Sequence, residues 1–290
     1  VYTPLYKFMK EIQMIKCKKS LFFLILTSFL VLFSACSTEK EWNVERQVVN
    51  LDENTVKDKV KVAVLDSGIN NLTHLKKNIA YTFNVEDNNK STSDLFDHGT
   101  KIASTIADNK IGINPNVSIY DIQVLNSKGQ GTVESICKGI DKSIEQRVDI
   151  INMSLGFNKD SKLLRKCVNR ALDKNIFIVA ASGDGSSDSV NYPADYKGVI
   201  SVSAIDKDDT LYRFSNKGKI DFVAPGVDVK VIDNEGKIDI DSGSSIAAAN
   251  FTGVLSLYIS SNQEKNIYKE KNIRNIYIKG TKYTFLYYNR

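Results

Sequence analysis

The chain has 290 residues and only two histidines, His74 and His98. Any reaction that needs an imidazole base therefore has two candidates, and imidazole is the side chain best suited to proton transfer near neutrality. Cysteine is also scarce, with four residues. Cys17 and Cys36 fall within and at the end of an N-terminal segment with the layout of an export signal. Cys137 and Cys167 lie in two separate helical stretches and are expected as small buried apolar residues, with pairing outside the cell as the other reading. A Gly-rich phosphate loop is missing, which sets aside a nucleotide-using enzyme. Acidic loops that would bind Ca²⁺ strongly are missing too. Asp206–Asp209, "DKDD", reads as a charged turn, so no cofactor is expected; calcium is the alternative, without support from the sequence. The net charge is +5, but residues 1–35 hold five Lys and one Glu, a net of +4, which leaves +1 for the rest. A body so nearly neutral lacks the basic face that nucleic acid requires.

The N-terminal charge has its own explanation. "MIKCKKS" is basic, "LFFLILTSFLVLF" is an uncharged apolar run, and "SAC" supplies small residues before Cys36. This is the layout of an export signal, and the run is short for a membrane span, which takes about 20 residues. The segment resembles a bacterial lipoprotein signal, in which Cys36 would be lipidated. Phe33 departs from that pattern, so simple secretion and a signal anchor are the alternatives. Residues 1–36 are thus read as a signal whose true start is Met14, residues 37–58 as a polar tether, and residues 59–290 as one folded body. Residues 37–58 are too short for a separately folded prodomain.

Within the body, apolar strands alternate with segments of helical period. "VKVAVLD", "VSIYDIQVL", "VDIINMSLG", "IFIVAAS" and "GVISVSAI" are continuous apolar runs; "TVESICKGIDKSIEQ" puts Ile136, Ile140 and Ile144 on one side. The pattern predicts an α/β fold with a mostly parallel central sheet and helices on both faces. Functional groups in such sheets gather at the carboxyl ends of the strands, where Asp66, Ser154–Gly156 and Asp184 lie. There is no internal repeat, and the Lys- and Tyr-rich tail reads as a solvated helix and loop with a closing strand.

Three blocks carry chemistry. "VAVLDSGI" puts Asp66 at a strand end, "DHGTKIASTIA" puts His98 at a helix start, and "SGSSIAAANFTG" puts Ser245 at the start of a helix of small residues. With "INMSLG" and "FVAPGV" between them, in the order Asp, His, Ser, the stretch from Val60 to Ser260 resembles the subtilisin-like serine proteases. That resemblance implies a subtilisin-like three-layer fold. It makes Ser245 the nucleophile, His98 the general base and acid, and Asp66 the group that orients the imidazole. It also implies that Gly129, Gln130 and Gly131 on one side, and Ser154, Leu155 and Gly156 on the other, pair with the backbone of an extended peptide.

The departures from the family pattern are informative. The nucleophile block reads Gly243, Ser244, Ser245, Ile246, Ala247 rather than Gly-Thr-Ser-Met-Ala, and the usual Pro and His that follow are Ala249 and Asn250, changes expected to alter helix packing more than chemistry. Asp184 takes the place of the oxyanion asparagine. An ionised carboxylate there cannot donate to a negative intermediate, whereas a neutral one can; one proprotein convertase branch also carries Asp at this position. The resemblance suggests a secreted or surface-anchored, monomeric endopeptidase whose partner is a precursor peptide, closest to the leader peptidases of lantibiotic biosynthesis. The competing reading is an impaired, peptide-binding relative. Asp188 and Asp195 are candidates for a pocket wall favouring basic side chains.

Overall fold

The computed structural model describes residues 41–49, 59–70, 75–261 and 273–289. The signal segment, Cys36 and His74 lie outside these residues. The core is a sheet of nine strands in the order β11-β12-β8-β7-β6-β5-β2-β4-β3. In chain order the strands are β2 (Lys61–Asp66), β3 (Ile79–Asn84), β4 (Ser118–Gln123), β5 (Ile150–Met153), β6 (Phe177–Ala181), β7 (Ile200–Ile205), β8 (Phe222–Pro225), β11 (Ile273–Ile278) and β12 (Thr281–Leu286). All neighbouring pairs are parallel except the β11–β12 hairpin.

The continuous apolar runs follow from burial on both faces. Along β2, Val62 and Val64 pack in one core layer with Ile102 and Ile106 of helix α2 (Gly99–Ala107) and with helix α5 (Ser244–Ser260). Ala63 and Leu65 pack in the opposite layer with helices α3 (Val133–Glu145) and α4 (Lys162–Leu172). Successive side chains point to opposite faces, so a strand covered on both has no polar position to alternate with. The fold is the expected three-layer α/β arrangement.

Two expectations are corrected. Cys137 and Cys167 are joined in a disulfide between α3 and α4, with Cα atoms 5.5 Å apart. They are buried as expected, but they are not free thiols. Helical periodicity places each cysteine on the inward face of its own helix and says nothing of which helices adjoin. The second correction concerns the tether. Its middle forms helix α1 (Trp42–Gln47) and strand β1 (Val48–Val49), which pairs in parallel with the terminal strand β13 (Tyr288–Asn289). Asn43, fully buried, donates to Asn250 of α5 at 2.9 Å, and Asn250 donates to the Pro225 carbonyl at 2.9 Å. Trp42 donates to the Asp228 carbonyl, and Glu41 and Arg46 form ion pairs with Lys230 and Asp209. Asn250, the departure from the family histidine, is thus the anchor of this segment.

Strands β9 (Val229–Ile232) and β10 (Ile238–Asp241) form an antiparallel hairpin that leads into α5. In the tail, the described residues form the β11–β12 hairpin and β13. The expected helix falls on residues outside the described set.

Candidate active site

The site is assembled at the carboxyl ends of β2, β5 and β6 and at the N-termini of α2 and α5. Asp66 ends β2 and is 1% exposed. His98 stands at the N-cap of α2. A Cβ on the next residue, Gly99, would lie 2.1 Å from the Gly68 carbonyl oxygen and 3.2 Å from the Asp66 Cβ. Only a glycine lets the helix begin so close to the strand end. His98 Nδ1 lies 2.8 Å from Asp66 Oδ1. An ionised Asp66 makes Nδ1 the donor and leaves Nε2 free to accept a proton.

Several residues that the motifs did not single out hold this pair. Asp66 Oδ1 also accepts from the Ser67 amide at 2.7 Å. The Ser67 hydroxyl accepts from the Gly99 amide and donates to Asp94. Asp94, fully buried, accepts from Thr100 through both its amide and its hydroxyl and from the Asp97 amide. Asp121, on β4 opposite Val64, is 1% exposed and accepts from the Ile69 amide and the Thr92 hydroxyl. Burial pushes its carboxyl up to about 7 against those two bonds, with the charges of Asp94 and Asp66 adding to the rise. Burial by itself would lower the His98 pKa, but the charge and hydrogen bond of Asp66 outweigh it, helped by Asp241 and Asp94, and the net shift is upward.

Ser245 sits in the first turn of α5, where backbone N–H groups lack partners within the helix. Its hydroxyl donates to the Ser154 carbonyl at 3.1 Å, and the Ser154 hydroxyl donates to the Ser245 carbonyl at 3.0 Å. Asn152 donates to the Ser154 hydroxyl and accepts from Thr252, which ties the end of β5 to α5. No hydrogen bond joins Ser245 to His98 among the described residues. Contacts of this kind commonly tighten only when substrate is bound.

Asp184 follows β6 and lies against the start of α5. The backbone turns at Gly183, where φ is +100° and a Cβ would lie 2.4 Å from Asn216 Nδ2. Asp184 does not reach out as a donor. Both of its oxygens accept from the Ser244 amide, at 3.1 and 2.9 Å, and Oδ2 accepts from the Ser244 hydroxyl at 2.9 Å. The Ser244 hydroxyl in turn accepts from the Gly183 amide at 3.0 Å. Asp184 therefore caps α5 as a carboxylate, a favourable place for negative charge. Burial raises its pKa, and the two bonds from Ser244 oppose that rise. Its surface remains open to solvent on one side, which tempers the effect of burial.

The six residues expected to bind peptide line one cleft of about 360 Å³ together with His98, Phe96, Leu125 and Phe157. Gly129–Gly131 form one wall and Ser154–Gly156 the other. Asp188 and Asp195 are not part of this cleft; Asp188 is exposed and paired with Lys217 at 2.8 Å. Asp206–Asp209 form a turn whose Asp206 carboxylate accepts from the amides of Asp208 and Thr210. Among the described residues no group of His, Cys, Asp and Glu is arranged to hold a metal ion.

Residues 57–285 match the family described as Peptidase S8, the subtilase family. The chain is 39% identical over 215 residues to the minor extracellular protease Epr of Bacillus subtilis (strain 168), covering 70% of this chain but 33% of that protein. It is 37% identical over 214 residues to the intracellular serine protease of Paenibacillus polymyxa, covering 68% of this chain and 66% of the relative. The crystal structure of a cold-adapted subtilisin-like serine proteinase superposes with a TM-score of 0.75 at 27% identity, over 86% of this chain and 98% of that one. The chain thus spans one third of one of these relatives and about two thirds of the other.

Proposed function

The chain belongs to the subtilase family of serine endopeptidases, and from that premise we propose that it is an exported enzyme that trims a precursor peptide. The observation that carries the chemistry is the 2.8 Å bond between His98 Nδ1 and the buried Asp66, with Ser245 held at the helix start beside the peptide cleft. Ser245 attacks the scissile carbonyl as His98 Nε2 takes its proton. His98 then protonates the leaving amine, and Asp66 stabilises the imidazolium formed in between. An extended peptide adds as a strand between Gly129–Gly131 and Ser154–Gly156. The backbone N–H of Ser245 points to the developing oxyanion.

Export finds its support in the chain itself, since one relative is named extracellular and another intracellular. A Cys137–Cys167 disulfide suits an oxidising compartment. The basic-then-apolar N-terminal segment suits a signal, and Cys36 would take the lipid that keeps a monomeric enzyme at the outer membrane face. The leader peptidases of lantibiotic biosynthesis remain the branch it most resembles.

Asp184 sets the rate. As a carboxylate clasped to Ser244 it repels the tetrahedral intermediate; as a neutral acid it can donate to it. Neutral Asp184 needs pH below its raised pKa, and neutral His98 needs pH above its own raised pKa. Activity therefore falls on both sides of the pH range in which the two conditions overlap. This supports the second reading, an impaired, peptide-binding relative, only to the extent of slow turnover. A fluorophosphonate probe decides between them: labelling of the wild type and not of Ser245→Ala supports the enzyme, and no labelling of either supports the binding protein.

A further inference from the structure

A second cleft, of about 590 Å³, opens between loop 210–218 and the turn joining β11 to β12. Arg213, Lys217, Lys279 and Lys282 line it, and no carboxylate does. Lys217 is paired with Asp188, and Arg213 stacks over Phe214 at 4.5 Å. Arg213, Lys279 and Lys282 have no carboxylate partner among the described residues. Asp209, beside the cleft's Thr210, is taken by Arg46 and Arg274. In a body that carries almost no net charge, this is a concentration of one sign. The floor is different: Leu211, Ile220 and Ile278 contribute apolar surface.

The cleft also adjoins the oxyanion side. Asn216 lines it, and its carboxamide oxygen accepts from the amides of Gly185 and Ser187, both at 2.9 Å. The Asn216 amide donates to the Gly183 carbonyl, the Ser186 amide to the Phe214 carbonyl, and the Lys217 amide to the Ser187 carbonyl. One wall of the cleft is therefore bonded along its length to the loop that carries Asp184.

We propose that this cleft is a secondary binding site for an acidic peptide segment that alternates carboxylate and apolar side chains, a part of the substrate away from the bond that is cut. The proposal rests on the reading of the chain as a peptide-processing enzyme. Cations on the rim recognise the carboxylates, and the apolar floor takes the side chains between them. A phosphate polymer would satisfy the cations but leave the floor unused.

The test uses a fluorescein-labelled heptapeptide alternating glutamate with leucine and phenylalanine. Binding is measured by anisotropy on the exported chain bearing Ser245→Ala, with and without Arg213→Glu and Lys282→Glu. Both positions are exposed, and equal unfolding midpoints verify that the fold is kept. The expected result is a Kd on the order of tenfold weaker in the doubly reversed variant and weaker again in high salt. In the active chain, a substrate carrying the heptapeptide should show a lower KM than the same scissile segment with a glycine-serine extension. The two reversals should erase that difference without changing cleavage of the short substrate. Charge-dependent binding without any cleavage would sink the enzyme reading and leave the cleft standing. Cleavage with binding indifferent to the reversals overturns the cleft. Tighter, equally charge-dependent binding of inorganic polyphosphate overturns the peptide class.

Discussion

Asp66 and Asp184 belong to the same proposed site, one bonded to His98 and the other to Ser244, and show how neighbours decide what a carboxylate does. Asp66 is sealed from water and spends one oxygen on the imidazole and on the Ser67 amide. Behind it, Ser67, Asp94 and Thr100 form a closed polar network, so the orientation of His98 is fixed by bonds that do not involve the substrate. Asp184 keeps one side in solvent and spends both oxygens on Ser244. Where an amide would offer an N–H to the intermediate, it stabilises the helix start instead. The Asp66 side is built to hold the imidazole in place. On the proposed mechanism, the Asp184 side hosts a group that helps catalysis only when it is neutral.

The sharpest way to break this contrast is to remove the groups it depends on. Ser245→Ala, which removes the nucleophile common to both, should cost roughly 10⁵–10⁶ in kcat, read by single-turnover cleavage. Asp66→Asn should cost about 10⁴, through the wrong imidazole tautomer. If Asp66→Asn retained wild-type kcat, the Asp66 side would not be the orienting one.

Smaller effects sharpen the comparison. Asp121 belongs to the Asp66 side, and its carboxyl holds a proton up to about 7 in the folded chain, against an ordinary value of 3.8. Between those pH values the folded state binds more protons than the unfolded state, so stability falls as pH rises across the window and stays lower above it. Asp121→Asn keeps an acceptor for Ile69 and Thr92 without the charge. It should flatten that fall and raise stability above neutrality by about 1–3 kcal/mol, measured by denaturant unfolding at several pH values. On the other side, Ser244→Ala strands the buried Gly183 amide and should cost about 1–2 kcal/mol. Weakest of all, Asp241→Asn removes one of the charges that raise His98, so the acid limb of kcat/KM should move to lower pH. A limb that did not move would show that Asp241 is screened from the imidazole.

The sequence made one half of this contrast readable and hid the other. Asp66, His98 and Ser245 stand in local motifs, each at an element end that the apolar pattern marks. The two-sided burial of β2 wrote the parallel sheet directly into "VKVAVLD". Asp184 was visible as a misplaced carboxylate, but the pattern could not say that Ser244 would claim both of its oxygens, because that pairing joins residues sixty positions apart. The same holds for Asn43 on Asn250 and for Cys137 with Cys167. Each depends on which helices adjoin. Asp121 sits in a strand where an apolar residue belongs; that break in "VSIYDIQVL" was the available signal for a buried carboxyl.

The central claim is that Asp184 slows the enzyme as an anion and serves it only when protonated. The direct measurement is the pH profile of kcat/KM for the wild type and for Asp184→Asn. The wild type should show a bell. The variant should lose the alkaline fall and show a plateau higher by up to about 10²–10³-fold. An unchanged alkaline limb, or a variant slower than the wild type above neutrality, would contradict it.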